Sequence, residues 1–299
     1  MTPDHLAQAR HELGRIAIIG AGQIGTMLGL ALRDGGCTDV WLHDKDPAIA
    51  EVSLGLGAAN GALSSTSEAL ECDTVIVALP VPEILRTIEE LGPHMRPGTF
   101  VVDTGSAKAA ITGSMRTHVS PGVHAMGGHP MVGTERPGPQ GARPELLNGA
   151  LFVFTEVRRD QVALERARSL AALVGARMCV VDAQIHDEFL ARTSHIAHVA
   201  AYALASLNNQ AHSARAEGLS SPGYDRAVRL ARSDVQMVAG FLTANAQHVK
   251  GALDELISNL DEASRLLADA AGDELAALLE TWQGSTSENP FVAAGRDGT

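Results

Sequence analysis

Gly20-Ala21-Gly22-Gln23-Ile24-Gly25 has the glycine spacing G-x-G-x-x-G. It follows a short apolar run at residues 15–19 and opens an amphipathic segment over 23–34. A glycine-rich turn between a strand and a helix lets backbone N–H groups and the helix N-terminus face a dinucleotide pyrophosphate. Gly20 permits the tight turn, Gly22 lets the backbone approach the phosphates, and Gly25 allows the helix to pack closely on the strand.

Short apolar runs alternate with helical patterns through the first half of the chain. The runs cover residues 15–19, 40–43, 74–78, 99–103, 151–155 and 178–181, and helical spacing covers 23–34, 82–91, 107–118 and 160–174. This alternation predicts a Rossmann-type α/β fold, in which helices cover both faces of a doubly wound parallel sheet. We expect an N-terminal arm or lead-in helix over 1–14 and a dinucleotide-binding domain over 15–183.

The second half of the chain has a different pattern. Residues 184–212 and 225–282 carry apolar side chains at spacings of three and four, and 218–223 is the one clear break. This spacing predicts an all-α domain over 184–284, followed by a flexible polar tail over 285–299. Its Ala- and Leu-rich surfaces predict a homodimer through this domain, although the same surfaces would also suit packing on the first domain.

An acidic residue and a strand end complete the predicted cofactor site. Asp44 lies 19 residues after Gly25, where a carboxylate binds the ribose hydroxyls and repels a 2′-phosphate. NAD is therefore favoured over NADP, although Lys45 weakens the preference. Ala78, Leu79 and Pro80 end the third run at the edge where ligands bind, and we expect them to line the nicotinamide side. These three residues would suit a strand end without a ligand almost as well.

Composition excludes several other classes of protein. The 299 residues carry a net charge of −12, which argues against nucleic acid or an anionic membrane surface as partner. No apolar run reaches the roughly 18 residues that a membrane span needs. Three scattered cysteines and no C-x-x-C pattern predict neither disulfides nor a thiolate metal site. With a polar N-terminus lacking a signal peptide's apolar core, the chain is expected to be cytoplasmic.

One histidine stands in an unusual setting, in Gly127-Gly128-His129-Pro130-Met131-Val132-Gly133-Thr134. The surrounding glycines and proline predict backbone that is neither helix nor ordinary strand, and so a loop that holds the imidazole. A held histidine near a redox cofactor is a candidate proton acceptor. Ser106 follows the fourth apolar run at the same sheet edge, so the two could meet. The alternative is that Ser106 only caps the next helix.

Further polar side chains recur at helical spacing in the second half. Ser194-His195 and His198 place two imidazoles at i and i+3, and Arg226, Arg229 and Arg232 recur at threes. Such a run of arginines is ordinarily a solvated stripe. In an acidic protein it also gives a concentrated cationic patch near the cofactor, which suits a small dianionic substrate.

These motifs together resemble the prephenate and arogenate dehydrogenases of tyrosine biosynthesis. The glycine fingerprint, residues 103–108, the G-H-P-M-x-G-T-E segment at 128–135, the S-H-x-x-H segment at 194–198 and residues 229–234 appear in that family's order. The resemblance covers about residues 15–284. It implies NAD-dependent oxidative decarboxylation of a cyclohexadienol dicarboxylate, without a metal.

The resemblance also implies roles for individual residues. His129 would accept the substrate's hydroxyl proton, and Ser106 would orient that hydroxyl. Arg229 would bind a substrate carboxylate, to which bidentate guanidinium geometry is suited. His195 would lie near the cofactor. The substrate would contact His198 and Thr134. Ser194 and Arg226, in the same two segments, are further candidates for contact with the substrate.

The chain departs from the family pattern around the substrate arginine. Arg226 and Val238 stand where some bacterial members carry an acidic residue and a tryptophan. An added cation favours the keto acid of prephenate over the ammonium group of arogenate, and an amino-substituted prephenate remains open.

Three rival interpretations remain. The first is a hydroxyacid dehydrogenase or imine reductase, against which the only lysine after residue 108, Lys250, lies outside the S-H-x-x-H context. The second is a metal-dependent dehydrogenase using His195, His198 and Asp187. The third is an NAD(H)-sensing dimer without catalysis, which would need the glycines and Asp44 but not the residues proposed for catalysis.

Overall fold

The computed structural model describes residues 3–134, 136–207 and 221–284. Contacts group the described residues up to Val249 into one compact unit and those from Lys250 onward into a second. The predicted tail over 285–299, and residues 218–220 of the predicted break at 218–223, lie outside the described residues.

An eight-stranded sheet forms the centre of the first unit. In spatial order the strands run β3-β2-β1-β4-β5-β6-β7-β8, and β7 and β8 run opposite to the other six. Their bounds are β1 Ile16–Ile19, β2 Val40–His43, β3 Gly61–Ala62, β4 Thr74–Val77, β5 Phe100–Asp103, β6 His124–Pro130, β7 Leu151–Glu156 and β8 Arg177–Val180. The six strands predicted from the apolar runs are confirmed, and β3 and β6 are additional.

Helices cover this sheet and continue beyond it. In the first half they are α1 Pro3–Leu13, α2 Gln23–Asp34, α3 Pro47–Gly55, α4 Val81–Leu91, α5 Lys108–His118 and α6 Gln161–Leu173. In the second half they are α7 Ala183–Leu190, one π-helical turn Ala191–His195, α8 Ile196–Ser206, α9 Pro222–Ala227, a 3-10 turn Arg229–Arg232, α10 Val235–Ala244, α11 Ala246–Ala268 and α12 Gly272–Gly284. The expected helical lead-in and the helical second half are both present.

The expectation of a single break in the helical half was wrong. Gly223 lies inside α9, whose N-cap is Ser221, and the chain interrupts its helices again near residues 228, 233 and 245. Asp234 starts α10 by accepting a hydrogen bond from the Met237 N–H. Polar caps, which apolar spacing does not reveal, therefore divide the pattern into short helices.

Alternation along the strands builds two cores, one on each face of the sheet. Ile16 and Ile18 of β1 join one core, which includes α2 and α6. Ala17 and Ile19 join the other, which includes α4, α5 and residues of α10 such as Phe241. Successive side chains of a strand point to opposite faces, so a wholly apolar strand must be covered on both. The predicted doubly wound fold is confirmed.

The glycine turn lies where β1 and β4 are neighbours and the strand order reverses direction. Gly20 has φ +101°, and a Cβ there would lie 2.2 Å from the carbonyl oxygen of Ala78. A Cβ on Gly25 would lie 1.8 Å from the Gly20 carbonyl oxygen, so close packing of α2 on β1 requires glycine. In open α/β sheets, ligands bind at such a reversal point, outside the carboxyl ends of the strands.

His129 lies in a strand, and the expectation of irregular backbone around it was wrong. The start of β6 pairs in parallel with β5, and its end pairs with β7, with His129 opposite Val153. The preceding glycines serve close packing inside the strand. A Cβ on Gly127 would lie 2.2 Å from Thr155 Oγ1, and one on Gly128 would lie 2.4 Å from the Asp103 carbonyl oxygen.

Substitution of Gly25 tests the packing of the glycine turn. In Gly25→Ala the new methyl group meets the Gly20 carbonyl, so we expect a loss of about 1–3 kcal/mol in the free energy of unfolding. Gly55→Ala is the matched control, because a Cβ there meets nothing within 4 Å. Chemical denaturation of both variants measures the difference. Equal stabilities would show that the turn relaxes freely.

Candidate active site

The glycine turn offers a cradle that fits a dinucleotide. Gly22 is the N-cap of α2 and provides no side-chain cap, so no capping side chain occupies the first N–H groups of the helix. A Cβ on Gly22 would meet nothing within 4 Å. Asp44 closes one side of the cradle, where its Oδ2 accepts a hydrogen bond of 2.8 Å from the Ala21 N–H. A groove of about 260 Å³ beside Asp44 is lined by apolar side chains that include Pro47, Ala50 and Leu54.

Gln23 connects this cradle to the segment that follows β6. Its amide nitrogen donates to Thr134 Oγ1 at 2.6 Å and to the Arg136 carbonyl at 2.5 Å, and its amide oxygen accepts from the Thr134 N–H at 2.9 Å. One residue predicted to contact the cofactor thus binds one predicted to contact the substrate. The Thr134 hydroxyl also donates to the Gly141 carbonyl.

A buried ion pair joins β5, α5 and β6. The ammonium group of Lys108 binds Asp103 and also donates to the Gly128 carbonyl oxygen at 2.5 Å. Asp103 Oδ1 accepts from the Gly128 N–H, and Oδ2 accepts from the Gly105 N–H. Both side chains are fully buried. Burial lowers the pKa of Lys108, and the Asp103 carboxylate opposes that shift. The pair fixes the backbone immediately before His129.

His129 begins a chain of hydrogen bonds that runs into α7. Its Nδ1 lies 3.0 Å from Nε2 of His186, and Nδ1 of His186 lies 2.8 Å from Oδ1 of Asp187. His186 and Asp187 are buried, whereas His129 remains partly exposed. Burial lowers the pKa of His129 well below its ordinary value, and His186, Lys108 and His195 lower it further. His129 is therefore a neutral imidazole with one side open.

Asp187 also caps α5. Its two carboxylate oxygens accept hydrogen bonds from the N–H groups of Lys108 and Ala109, at 2.7 and 2.8 Å. The alternative in which Ser106 only caps this helix is therefore wrong, because the N-cap is Ala107 and the capping group comes from α7. Ser106 lies partly buried in the loop between β5 and α5.

His195 and His198 both contact the ring of Phe241, as expected for residues on one helical face. His195 stacks on Phe241 with ring centroids 4.7 Å apart, and His198 meets the same ring edge-on at 5.2 Å. His198 Nδ1 lies 3.1 Å from the carbonyl oxygen of Ser194, which directs its Nε2 away from the helix backbone. Ser194 and His195 belong to the π-helical turn, a feature that often marks functional sites.

His195 is almost completely buried. Its Nδ1 lies 3.2 Å from the side-chain nitrogen of Asn245, and its Nε2 has no hydrogen-bond partner among the described residues. Burial lowers the pKa of His195 to about 4, and Asp187 and the Ser106 backbone act in the opposite direction. An unpartnered buried nitrogen costs free energy.

The arginines lie on two short elements. Arg226 is exposed on α9, and Arg229 and Arg232 are exposed at the two ends of the 3-10 turn. This turn packs against α8, the helix that carries His198. The Tyr202 hydroxyl of α8 strengthens the contact by donating to the Ser233 carbonyl at 2.7 Å. The structure thus brings the arginine segment beside the histidine helix.

Sequence reasoning missed four residues of this site. They are Lys108, His186, Asp187 as a capping group, and Asn245. Lys108 is the last residue of the motif at 103–108. A lysine shortly after a strand that ends in aspartate could have suggested the ion pair with Asp103. The adjacent residues His186 and Asp187 could likewise have suggested a histidine paired with a carboxylate. No local pattern indicates Asn245, since its contact with His195 spans 50 residues.

Within the described ranges, no group of three or more His, Cys, Asp or Glu side chains is arranged to hold a metal ion. Within the same ranges, no helix has the length and apolar character needed to cross a membrane.

The burial of His195 predicts a pH dependence of stability. Its pKa of about 4 in the folded protein lies below the ordinary value of 6.5, so the unfolded chain binds a proton that the folded one does not. Stability should therefore fall as the pH decreases from about 6.5 to about 4. In His195→Gln this slope should be shallower by up to about 1.4 kcal/mol per pH unit.

Urea unfolding at several pH values measures this slope. His94→Gln is the control, because His94 is exposed. If the His195 variant kept the slope of the unmodified protein, the account of its burial would be wrong.

Comparison with known proteins agrees with the architecture. The family model described as "Prephenate dehydrogenase, nucleotide-binding domain" matches residues 28–180, and "Prephenate dehydrogenase, dimerization domain" matches residues 182–281. A probable prephenate dehydrogenase of Streptomyces niveus is 31% identical over 85% of this chain and 70% of its own length. A cyclohexadienyl dehydrogenase of Zymomonas mobilis is 27% identical over 87% of this chain and 90% of its own.

A solved structure shares the fold. Prephenate dehydrogenase from A. aeolicus, in complex with hydroxyphenyl propionate and NAD+, superimposes with a TM-score of 0.79 at 22% identity. The match covers 92% of this chain and 98% of that one.

Proposed function

The chain belongs to the prephenate dehydrogenase family, and we propose that it catalyses the NAD-dependent oxidative decarboxylation of prephenate to 4-hydroxyphenylpyruvate. The observation that carries the proposal is the setting of His129. A neutral, partly exposed imidazole stands at the carboxyl edge of the sheet, and its Nδ1 is bound to a buried partner. The remaining ring nitrogen is available as a proton acceptor.

In the proposed reaction His129 accepts and returns a single proton. It takes the C4 hydroxyl proton of the substrate while the C4 hydride leaves, and Ser106 orients that hydroxyl. Bound NAD supplies the hydride acceptor. Loss of CO2 from C1 then leaves its electron pair to aromatise the ring, and His129 returns the proton to the phenolate oxygen. Atoms and charges balance without a metal.

The cradle at Gly20–Gly25 supports NAD as the cofactor. The exposed N–H groups at the start of α2 suit the pyrophosphate, and Asp44 suits the ribose hydroxyls. Ala78, Leu79 and Pro80 follow β4, with the Ala78 carbonyl beside Gly20, and we assign them to the nicotinamide side. We also assign His195, in the π-helical turn, to the cofactor. The bound NAD+ of the A. aeolicus relative supports the same assignment.

We propose that the arginine segment and the histidine helix together bind the dicarboxylate. Arg229 holds one carboxylate, and Arg226 favours the keto-acid side chain. Ser194, His198 and Thr134 supply hydrogen bonds. In support, the turn that carries Arg229 packs on the helix that carries His198.

We also propose that the protein is a homodimer and that its substrate and dimerisation domain begins near residue 184. The family model over 182–281 describes a dimerization domain. Taken by itself, the unit from Lys250 exposes several apolar side chains, namely Ile257, Leu260, Leu267 and Leu279. A second copy of the chain is a partner that would cover apolar residues of this kind.

Replacing the proposed base tests the function directly. His129→Asn should lower kcat with prephenate by about 10²–10⁴-fold, the usual worth of a general base, and leave the Kd of NAD unchanged. NADH formation measured by absorbance, with titration of NAD, separates the two effects. His124→Asn is the matched control, since His124 starts the same strand and pairs with Asp160 at 2.7 Å. Unchanged turnover in His129→Asn would refute the assignment.

Arg226 tests which substrate the site prefers. Replacing its cation by a carboxylate in Arg226→Asp should favour the ammonium group of arogenate. We expect the ratio of kcat/KM for arogenate to kcat/KM for prephenate to rise by about three- to tenfold, as for a partly screened charge pair.

Both substrates should be assayed with NAD and with NADP. Arg168→Asp, on the exposed side of α6, is the control. A ratio that does not move would remove Arg226 from the substrate site, and a wild-type preference for arogenate would correct the proposed substrate.

A further inference from the structure

His186 lies between the proposed base and a buried carboxylate, and it takes no part in the proton and hydride transfers of the proposed reaction. It is 3% exposed, and its two ring nitrogens bond to His129 on one side and to Asp187 on the other. The contact between His129 and His186 is edge-on, with ring centroids 5.2 Å apart. A buried histidine with both nitrogens engaged has a defined direction of proton donation, which its partners determine.

Asp187 sets this direction. Its carboxylate accepts hydrogen bonds from the N–H groups of Lys108 and Ala109 and from the ring of His186. Burial acts to raise the pKa of Asp187, but these hydrogen bonds hold it below its ordinary value. Asp187 is therefore ionised and only accepts, so Nδ1 of His186 must donate.

The direction of this bond determines where the protons lie in the next hydrogen bond, between His186 and His129. Because Nδ1 of His186 donates to Asp187, its Nε2 is an acceptor whenever the ring carries a single proton. Nδ1 of His129 must then donate to that atom across 3.0 Å. In a neutral imidazole only one nitrogen carries a proton, so Nε2 of His129 is left as the basic atom.

We propose, on the basis of the function above, that His186 is a positioning residue: it relays the charge of Asp187 to His129 and fixes His129 in the tautomer whose Nε2 takes the substrate's proton. The same bonds hold the ring plane, and Nδ1 of His129 stays a donor when the ring becomes a cation. Asp187 in turn binds the first turn of α5, just after the Ser106 loop. One carboxylate thus aligns both the proposed base and the element that carries its hydroxyl partner.

The other charged groups around His129 do not supply this tautomer control. Lys108 directs its ammonium group to Asp103 and to the Gly128 carbonyl. His195, which also acts on the pKa of His129, directs Nδ1 to Asn245. The contact with His186 is the hydrogen bond that the structure gives the His129 ring.

The first test needs no substitution. Nitrogen NMR of protein carrying ¹⁵N-labelled histidine, without substrate, reports which ring nitrogen of His129 is protonated, and His129→Asn assigns the signal. The proposal predicts a protonated Nδ1. A protonated Nε2 would overturn it, whatever the outcome of the turnover assays.

The second test uses substitutions at His186. His186→Leu removes the acceptor, and we expect kcat to fall by about ten- to a hundredfold, the usual effect of losing an orienting partner, with little change in KM. His186→Gln restores an acceptor oxygen and should retain most of the activity. It should also retain the Nδ1–H signal of His129, which is lost or mixed in the leucine variant.

The matched control is His124→Leu, which removes another histidine paired with an aspartate in the strand that carries His129. It should leave kcat and the His129 signal unchanged. A His186→Leu enzyme with unaltered kcat and tautomer would overturn the relay. Loss of activity in the leucine and glutamine variants alike, with the His129 signal unmoved, would overturn it too. If His129→Asn alone proved fully active, the proposed function would fail instead.

Discussion

The buried pair of Lys108 and Asp103 is the interaction on which the rest of the site depends. Removing one partner of a buried ion pair costs about 3–5 kcal/mol, because the other charge is left uncompensated. Here the pair also holds both polar groups of the Gly128 backbone, next to His129. These bonds hold the carboxyl ends of β5 and β6 together. They therefore fix the position of His129, the proposed base.

The two halves of the proposed reaction meet through short contacts between neighbouring loops. The side chain of Gln23, in the glycine turn, forms hydrogen bonds with the segment after His129. The side chain of Asp187, in α7, accepts hydrogen bonds from the first N–H groups of α5. The cofactor cradle, the hydroxyl loop and the base are therefore parts of one hydrogen-bonded edge of the sheet. This coupling explains how a cofactor and a substrate can be aligned by elements distant in sequence.

Sequence predicted much of this fold because apolar periodicity is a local property. The strands around Ile16–Ile19 and the helix Gln23–Asp34 were readable from spacing alone. His129 was identified but its backbone was misjudged, because glycine and proline ordinarily end strands. In β6 they instead permit contact with Thr155 and Asp103, and only the tertiary structure supplies those neighbours. The bond between His129 and His186 spans 57 residues, so no local pattern reveals it.

The most direct test of the account is the stoichiometry of the reaction with prephenate. Released CO2 and NADH should be measured in the same reaction, with NAD as the oxidant. If hydride loss at C4 commits the ring to aromatise, one CO2 should be released for each NADH formed from the earliest time points. NADH formed without CO2, or no NADH at all, would contradict it.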